Sequence, residues 1–264
     1  MTTTDGRSLG RRVKTRVKRA IESVVYRINP AYASYRARRD WNHAARYMPK
    51  EVTATFDAQD WETYWESGRR QVRDLLDLAR GAGPLGSGLA VEIGCGLGRL
   101  TRPLAGHFER VVGADIADEM LKIARRDAAA PNITYELLKP GERLPVDDGA
   151  ADFVLSWTVF RHVSRSTFEG YLDEARRVLR PGGGLVFEAQ IRESGARAEP
   201  LPYDSFGERD YTMVELRRQC DVHGFLRRAE RREESATPGT STLVVVWCRP
   251  GDERWRSDRG TSNK

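Results

Sequence analysis

The chain has 264 residues, 39% of them hydrophobic and 31% charged, with a formal net charge of +6. That length suits one large domain, or a domain with an appendage, and is enough for a sizeable core. No stretch approaches the roughly 18 consecutive apolar residues of a membrane-spanning helix, and no apolar run follows the basic N-terminal residues as it would in a secretory signal. The expectation is a cytoplasmic protein whose three scattered cysteines, Cys95, Cys220 and Cys248, are reduced and hold no structural zinc.

The charge is uneven: residues 1–50 carry +10 and the remainder −4. Within the basic head, Leu9, Val13, Val17, Ala20, Ile21, Val24, Val25 and Ile28 recur at helical spacing, with Arg11, Arg12, Lys14, Lys18 and Arg19 largely outside that stripe. The pattern predicts a basic amphipathic helix ending at Asn29-Pro30. Two readings stand: a helix that meets an anionic membrane surface or nucleic acid, and one that packs on the protein's own body with its charges in water.

Two further helices are predicted over 32–48 and 60–80, before the breaker Gly81-Ala82-Gly83-Pro84-Leu85-Gly86-Ser87-Gly88. Strands and helices then alternate. The strands are expected at 89–93, 110–115, 133–137, 153–157 and 185–189, and the helices near 99–106, 118–129 and 167–179. The order is that of a parallel sheet covered on both faces. A last helix at 213–222 and two strands at 225–232 and 242–248 predict a closing antiparallel hairpin, followed by a polar tail.

Val91-Glu92-Ile93-Gly94-Cys95-Gly96-Leu97-Gly98-Arg99 follows an apolar strand and opens a helix, where glycines let a ligand touch the backbone. Its G-x-G-x-G spacing departs from the dinucleotide fingerprint G-x-G-x-x-G, which disfavours NAD. The next strand ends in Asp115, 21 residues after Gly94. That is the position from which a carboxylate accepts from both hydroxyls of a ribose. Loop and acid together suit a nucleoside without phosphates.

From about residue 88 to 248 the sequence resembles the class I S-adenosylmethionine-dependent methyltransferases. Val91 to Thr101 resembles the family's cofactor loop, Asp115-Ile116 its ribose and adenine corner, and Ala151-Asp152-Phe153-Val154-Leu155-Ser156 its fourth strand. Glu174-Ala175-Arg176-Arg177-Val178-Leu179-Arg180-Pro181-Gly182-Gly183 resembles the helix and turn leading into its fifth strand. The resemblance implies a doubly wound, mostly parallel, seven-stranded α/β sheet with an N-terminal helical extension, and S-adenosylmethionine as cofactor. It implies that Gly94, Gly96 and Gly98 line the methionyl part of the cofactor, that Glu92 orders the loop, and that Ile116 packs on adenine. Ser156 joins the candidate cofactor-binding residues. Where many relatives carry an Asp after the third strand, this chain has Pro140, so adenine contact is expected from the backbone near Gly141 and Glu142. The implied division is a basic helix over 1–30, a helical cap or lid and linker over 31–87, the S-adenosylmethionine-binding domain over 88–249 and a disordered tail over 250–264.

Methyl transfer needs mainly proximity and orientation, but an alcohol acceptor must also lose a proton. His162, just after the fourth strand in Ser156-Trp157-Thr158-Val159-Phe160-Arg161-His162-Val163, is the candidate base; packing is the other reading of that histidine. The stretch 190–210, with Tyr203 and Asp204, is expected to be an inserted substrate wall or a surface loop. Trp61, Tyr64 and Trp65 are expected as core packing or as a lid. No Asn/Asp-Pro-Pro-Tyr/Phe motif and no metal-ligand cluster is present in the sequence. The reading is a small-molecule methyltransferase acting on oxygen of a sugar or secondary metabolite. The alternative is an RNA methyltransferase that uses the basic head.

Overall fold

The structure is a computed structural model that describes Val24 and residues 31–53, 60–138, 143–193, 205–234 and 240–251. Of the predicted basic helix only Val24 is among them, and the tail beyond Gly251 lies outside them. Two helices come first, α1 (Ala31–Tyr47) and α2 (Trp61–Gly81). Asp60 caps α2 by accepting the Thr63 N–H at 2.7 Å. The buried stripe Tyr64, Gly68, Val72, Leu75, Leu76 and Ala79 keeps helical spacing and turns one side of α2 to the core.

The alternating part runs β1 (Leu89–Ile93), α3 (Thr101–Leu104), β2 (Arg110–Asp115), α4 (Asp118–Asp127), β3 (Ile133–Leu137), β4 (Ala151–Ser156), α5 (Arg165–Val178) and β5 (Leu179–Arg192). It closes with β6 (Asp210–Tyr211), α6 (Met213–Val222), β7 (Leu226–Glu234) and β8 (Thr240–Cys248). The sheet order is β3-β2-β1-β4-β5-β8-β7, parallel from β3 to β5 and antiparallel for β8 against both neighbours.

Successive residues of the central strands serve opposite faces, as the two-residue strand period requires. Leu185, Phe187, Leu243, Val245 and Trp247 join Phe168, Leu172, Leu216 and Cys220 of α5 and α6 in one core. Val186, Val244 and Val246 join Val72, Leu75, Leu76 and Ala79 of α2 in the other. With both faces covered, the strands are near-continuous apolar runs, and the doubly wound arrangement follows.

Three details correct the sequence reading. The sheet has eight strands rather than seven, because Asp210–Tyr211, inside the expected insertion, pairs in parallel with Gln190 and Ile191. That short strand continues the β4 side of β5, beyond the point where β4 ends. The helix expected over 99–106 is a single turn: Pro103 has no N–H to donate to Arg99, and past Leu104 the backbone tightens, with Ala105 donating to Arg102 and Gly106 to Pro103. Finally, β5 begins at Leu179, directly at the C-cap of α5, and its pairing with β4 shifts register between Ala151 and Phe153. No helix among the described residues is long and apolar enough to cross a membrane.

Candidate active site

The glycine loop leaves β1 at the middle of the sheet and is tied down from the side of β2. Gly94 and Cys95 donate their N–H groups to the carbonyl of Ala114 at 2.7 and 3.1 Å, and Gly98 donates to Cys95 at 2.9 Å. Gly94, Gly96 and Gly98 have φ of 74°, 53° and 80°, the left-handed region that glycine enters without steric cost. Asp115, at the end of β2, accepts the Gly96 N–H on one carboxylate oxygen and the Ala117 N–H on the other, both at 2.8 Å. Each oxygen keeps a lone pair for a further donor. Burial pushes the Asp115 carboxyl up, while those backbone N–H groups and that of Ile116 pull it back.

Glu92 is buried beneath the same loop and accepts from the Thr101 hydroxyl at 2.5 Å, joining β1 to the turn of α3. Desolvation pushes its carboxyl up to about 8, against the pull of the Thr101 hydrogen bond and of Arg99. On the outer side, Arg99 is anchored to Gln71 at 2.7 Å and Ser67 at 3.2 Å on α2. A Cβ at Gly68 would collide with the Arg99 carbonyl, so the lack of a side chain there lets α2 seat on the end of the loop.

A cleft of about 100 Å³, partly open to solvent, runs over this loop. Glu92, Gly94, Gly96, Asp115, Ile116 and His162 all line it. Two sequence-predicted residues do not. Gly98 turns away from the cleft, and a Cβ there would strike the Tyr135 hydroxyl and lie 2.8 Å from the Ala128 Cβ; its role is to let the loop pack on β3. Ser156 is buried and its hydroxyl donates to the Ile93 carbonyl at 3.2 Å, so it bridges β4 to β1. Gly141 and Glu142 lie outside the described residues, as do Tyr203 and Asp204.

The sequence did not single out what α1 brings. Asn42 accepts the Glu119 N–H at 2.8 Å, capping α4 whose own N-cap, Ala117, offers no side-chain acceptor, and Arg46 pairs with Glu119 at 2.9 Å. These bonds hold α1 across the cleft. Trp41 then presents its ring edge to His162 at 5.5 Å between centroids and meets Phe206 on its other side. Tyr64, fully buried, closes another wall, with its hydroxyl 2.8 Å from that of Thr53. Of the three aromatics at the start of α2 it alone lines the cleft; Trp61 is exposed and stacks on Trp65. No local signal marks Trp41 or Tyr64 as wall residues, because only the docking of α1 and α2 makes them so.

The segment after β4 carries the remaining wall. Thr158 has φ of 57°, uncommon for a β-branched residue, and its hydroxyl donates to the Trp157 carbonyl at 2.7 Å. The His162 N–H donates to Val159 at 2.8 Å, which closes this turn and aims Trp157, Thr158, Val159 and His162 at the cleft. Beneath it the buried Glu188 of β5 pairs with Arg161. A second cavity of about 410 Å³ adjoins the first and shares His162, Ile116, Leu138, Val163 and Tyr171 with it.

Residues 90–183 match a family of methyltransferase domains. The demethylmenaquinone methyltransferase of Tropheryma whipplei is 41% identical over 97 residues, 36% of this chain and 39% of that protein. The ubiquinone biosynthesis O-methyltransferase of a Chelativorans strain is 28% identical over 68% of this chain and 70% of its own length. Among solved structures, the N-methyltransferase NodS of Bradyrhizobium japonicum, in complex with S-adenosyl-L-homocysteine, superposes with a TM-score of 0.59 at 15% identity over 81% of this chain and 98% of NodS. Residues 90–183 thus match a methyltransferase-domain family, and the fold is that of solved S-adenosylmethionine-dependent methyltransferases. The chain spans about two fifths of the length of the first curated relatives it matches.

The residues present fit S-adenosylmethionine, the cofactor that gives solved neighbours of the chain their names. Its ammonium and ribose hydroxyls are donors, and the cleft offers them the buried carboxyl groups of Glu92 and Asp115; its adenine is flat and apolar, and Ile116, Met120 and Leu138 line the same space. A Cβ at Gly96 would stand 3.2 Å from Thr53 and narrow the loop's approach.

Proposed function

We propose that the protein transfers a methyl group from S-adenosylmethionine to a small molecule, on an oxygen of a sugar or secondary metabolite. The observation that carries this reading is the shared wall: His162 borders both the carboxylate-lined cleft and the adjoining cavity, so a group in the second cavity can meet one in the first at the imidazole. Asp115 and Glu92 would hold the ribose and the ammonium of the cofactor. When bound, the cofactor supplies a methyl group on a sulfonium, ready for displacement by a nucleophile. His162 takes the proton from the acceptor hydroxyl as that nucleophile forms. Tyr171 is less suited to the task, since burial pushes its phenol up to about 12 and leaves it a hydrogen-bond donor at neutral pH. Trp41 and Val163 keep water from the junction, which favours orientation of the two reactants over solvation of the acceptor.

The test is incubation of the full chain with methyl-labelled S-adenosylmethionine and a fractionated cell extract. Label in a small molecule, on oxygen, is the expected result. Label in RNA would favour the reading based on the basic head, and tight cofactor binding with no labelled product in any fraction would overturn transfer itself.

A further inference from the structure

The second cavity is asymmetric in charge. The face of α1 turned to it is made of Ala33, Ser34, Ala37 and Arg38, three small side chains that leave the space and one cation that reaches into it. Arg38 is half-buried and makes no hydrogen bond or ion pair with any described residue. The other charged lining groups are already matched. Glu174 takes two hydrogen bonds from Arg177, at 2.7 and 2.8 Å, as well as the Leu144 N–H at 2.7 Å, and Arg143 pairs with Asp148 at 3.0 Å. Among the described residues, what the cavity offers a ligand is one guanidinium without a partner, in a wall that is largely apolar, with Leu138, Leu144 and Val163, and that also carries the hydroxyls of Ser34, Ser164, Ser166, Thr167 and Ser205.

We propose that the acceptor is a small acid, an apolar body carrying a carboxylate or a phosphate, and that Arg38 binds its anionic end. The inference rests on the methyltransferase reading of the site and names the class of molecule it acts on. Arg38 stands three residues before Trp41, just under one helical turn and about 4.5 Å along the axis, and Trp41 touches His162. The acid group and the reacting atom would therefore lie close together, within the span of a small molecule. A planar guanidinium suits either anion, because both present paired oxygens to its fork of N–H donors.

The experiment titrates hexanoate, hexyl phosphate and hexan-1-ol into the full chain saturated with S-adenosylhomocysteine, by calorimetry, for the native sequence, Arg38→Met and Arg38→Lys. At least one anion is expected to bind more tightly than the alcohol, to weaken by about tenfold or more in Arg38→Met and to recover in part in Arg38→Lys, with the alcohol unchanged throughout. Which anion leads distinguishes a carboxylate-bearing acceptor from a phosphorylated one. Neither anion exceeding hexan-1-ol, or equal anion binding in Arg38→Met, overturns the proposal. If Arg38→Met does not fold, the native protein and Arg38→Lys decide alone: a preference for anions that weakens with added salt supports it, and no preference overturns it. Failure of S-adenosylhomocysteine itself to bind the native chain would count against the methyltransferase reading, a result separate from the other two.

Discussion

Val159 fills the space that a side chain at position 94 would need: a Cβ on Gly94 would lie far inside the contact distance of the Val159 methyls. The loop after β1 and the turn after β4 are thereby interlocked, one as the floor of the cleft and the other as its wall.

Gly94→Ala should therefore destabilise the protein by roughly 1–3 kcal/mol, through the strained φ of 74° as well as the collision. Val159→Gly in the same chain should restore the part due to the collision and leave the part due to φ. A double-mutant cycle by urea denaturation measures that coupling. Additive losses would show that the two residues do not share the space.

Asp115→Ala removes the acceptor for the Gly96 and Ala117 N–H groups and, on the proposed reading, for the ribose of the cofactor. Losing a charged, buried acceptor costs about 1.5–3 kcal/mol, so S-adenosylhomocysteine should bind about tenfold more weakly or worse. Calorimetry with a folded variant checks this, and unchanged affinity would remove Asp115 from the ligand's contacts.

Glu92 makes the cleft sensitive to pH. Its folded-state carboxyl is raised to about 8 by burial, above its ordinary value of 4.5, so the folded chain holds this proton more tightly than the unfolded one. The associated stability is complete below about pH 4.5 and is lost as pH rises through 8. In the ligand-free protein Glu92→Gln should flatten that decline, with each kcal/mol appearing as roughly 2–4 °C in Tm. The same variant should bind the cationic cofactor more weakly, and the native affinity should rise with pH over this window. Parallel pH–Tm curves for the two proteins would show that Glu92 is ionised throughout.

His162→Ala should lower turnover by roughly 10²- to 10⁴-fold with little change in affinity for S-adenosylhomocysteine. Native turnover should fall on the acid side, where the imidazole is already protonated, and the variant's profile should lack that limb. Near-native turnover in His162→Ala would assign the proton to another group.

The central strands were legible because their signal is local. Leu89–Ile93 and the middle of Arg110–Asp115 are apolar runs, Ile133–Leu137 alternates apolar and polar residues, and the glycine loop and Asp115 lie at fixed places at the strand ends. Where the sequence misleads, a partner outside the window decides. Asp210–Tyr211 is a strand only because β5 extends past β4 and offers an edge. Gly98 has the motif's spacing, yet its contact is with Tyr135, 37 residues on, and the hydroxyl of Ser156 is spent on the neighbouring strand. Trp41, Tyr64 and Arg38 become site residues through the docking of α1 and α2, which Asn42 at the start of α4 and Gly68 against Arg99 fix in place.

The five residues common to the two cavities, Ile116, Leu138, His162, Val163 and Tyr171, give the site a thermodynamic property of its own. A molecule in either space becomes part of the container of the other, so neither ligand meets a finished surface alone. Linkage then requires that each change the affinity of the other by the same factor, with no movement of the backbone. An acceptor titrated into the bare chain meets a cavity open at one end, and its binding constant belongs to that open vessel. The constant that governs turnover is the one measured with the neighbouring space filled.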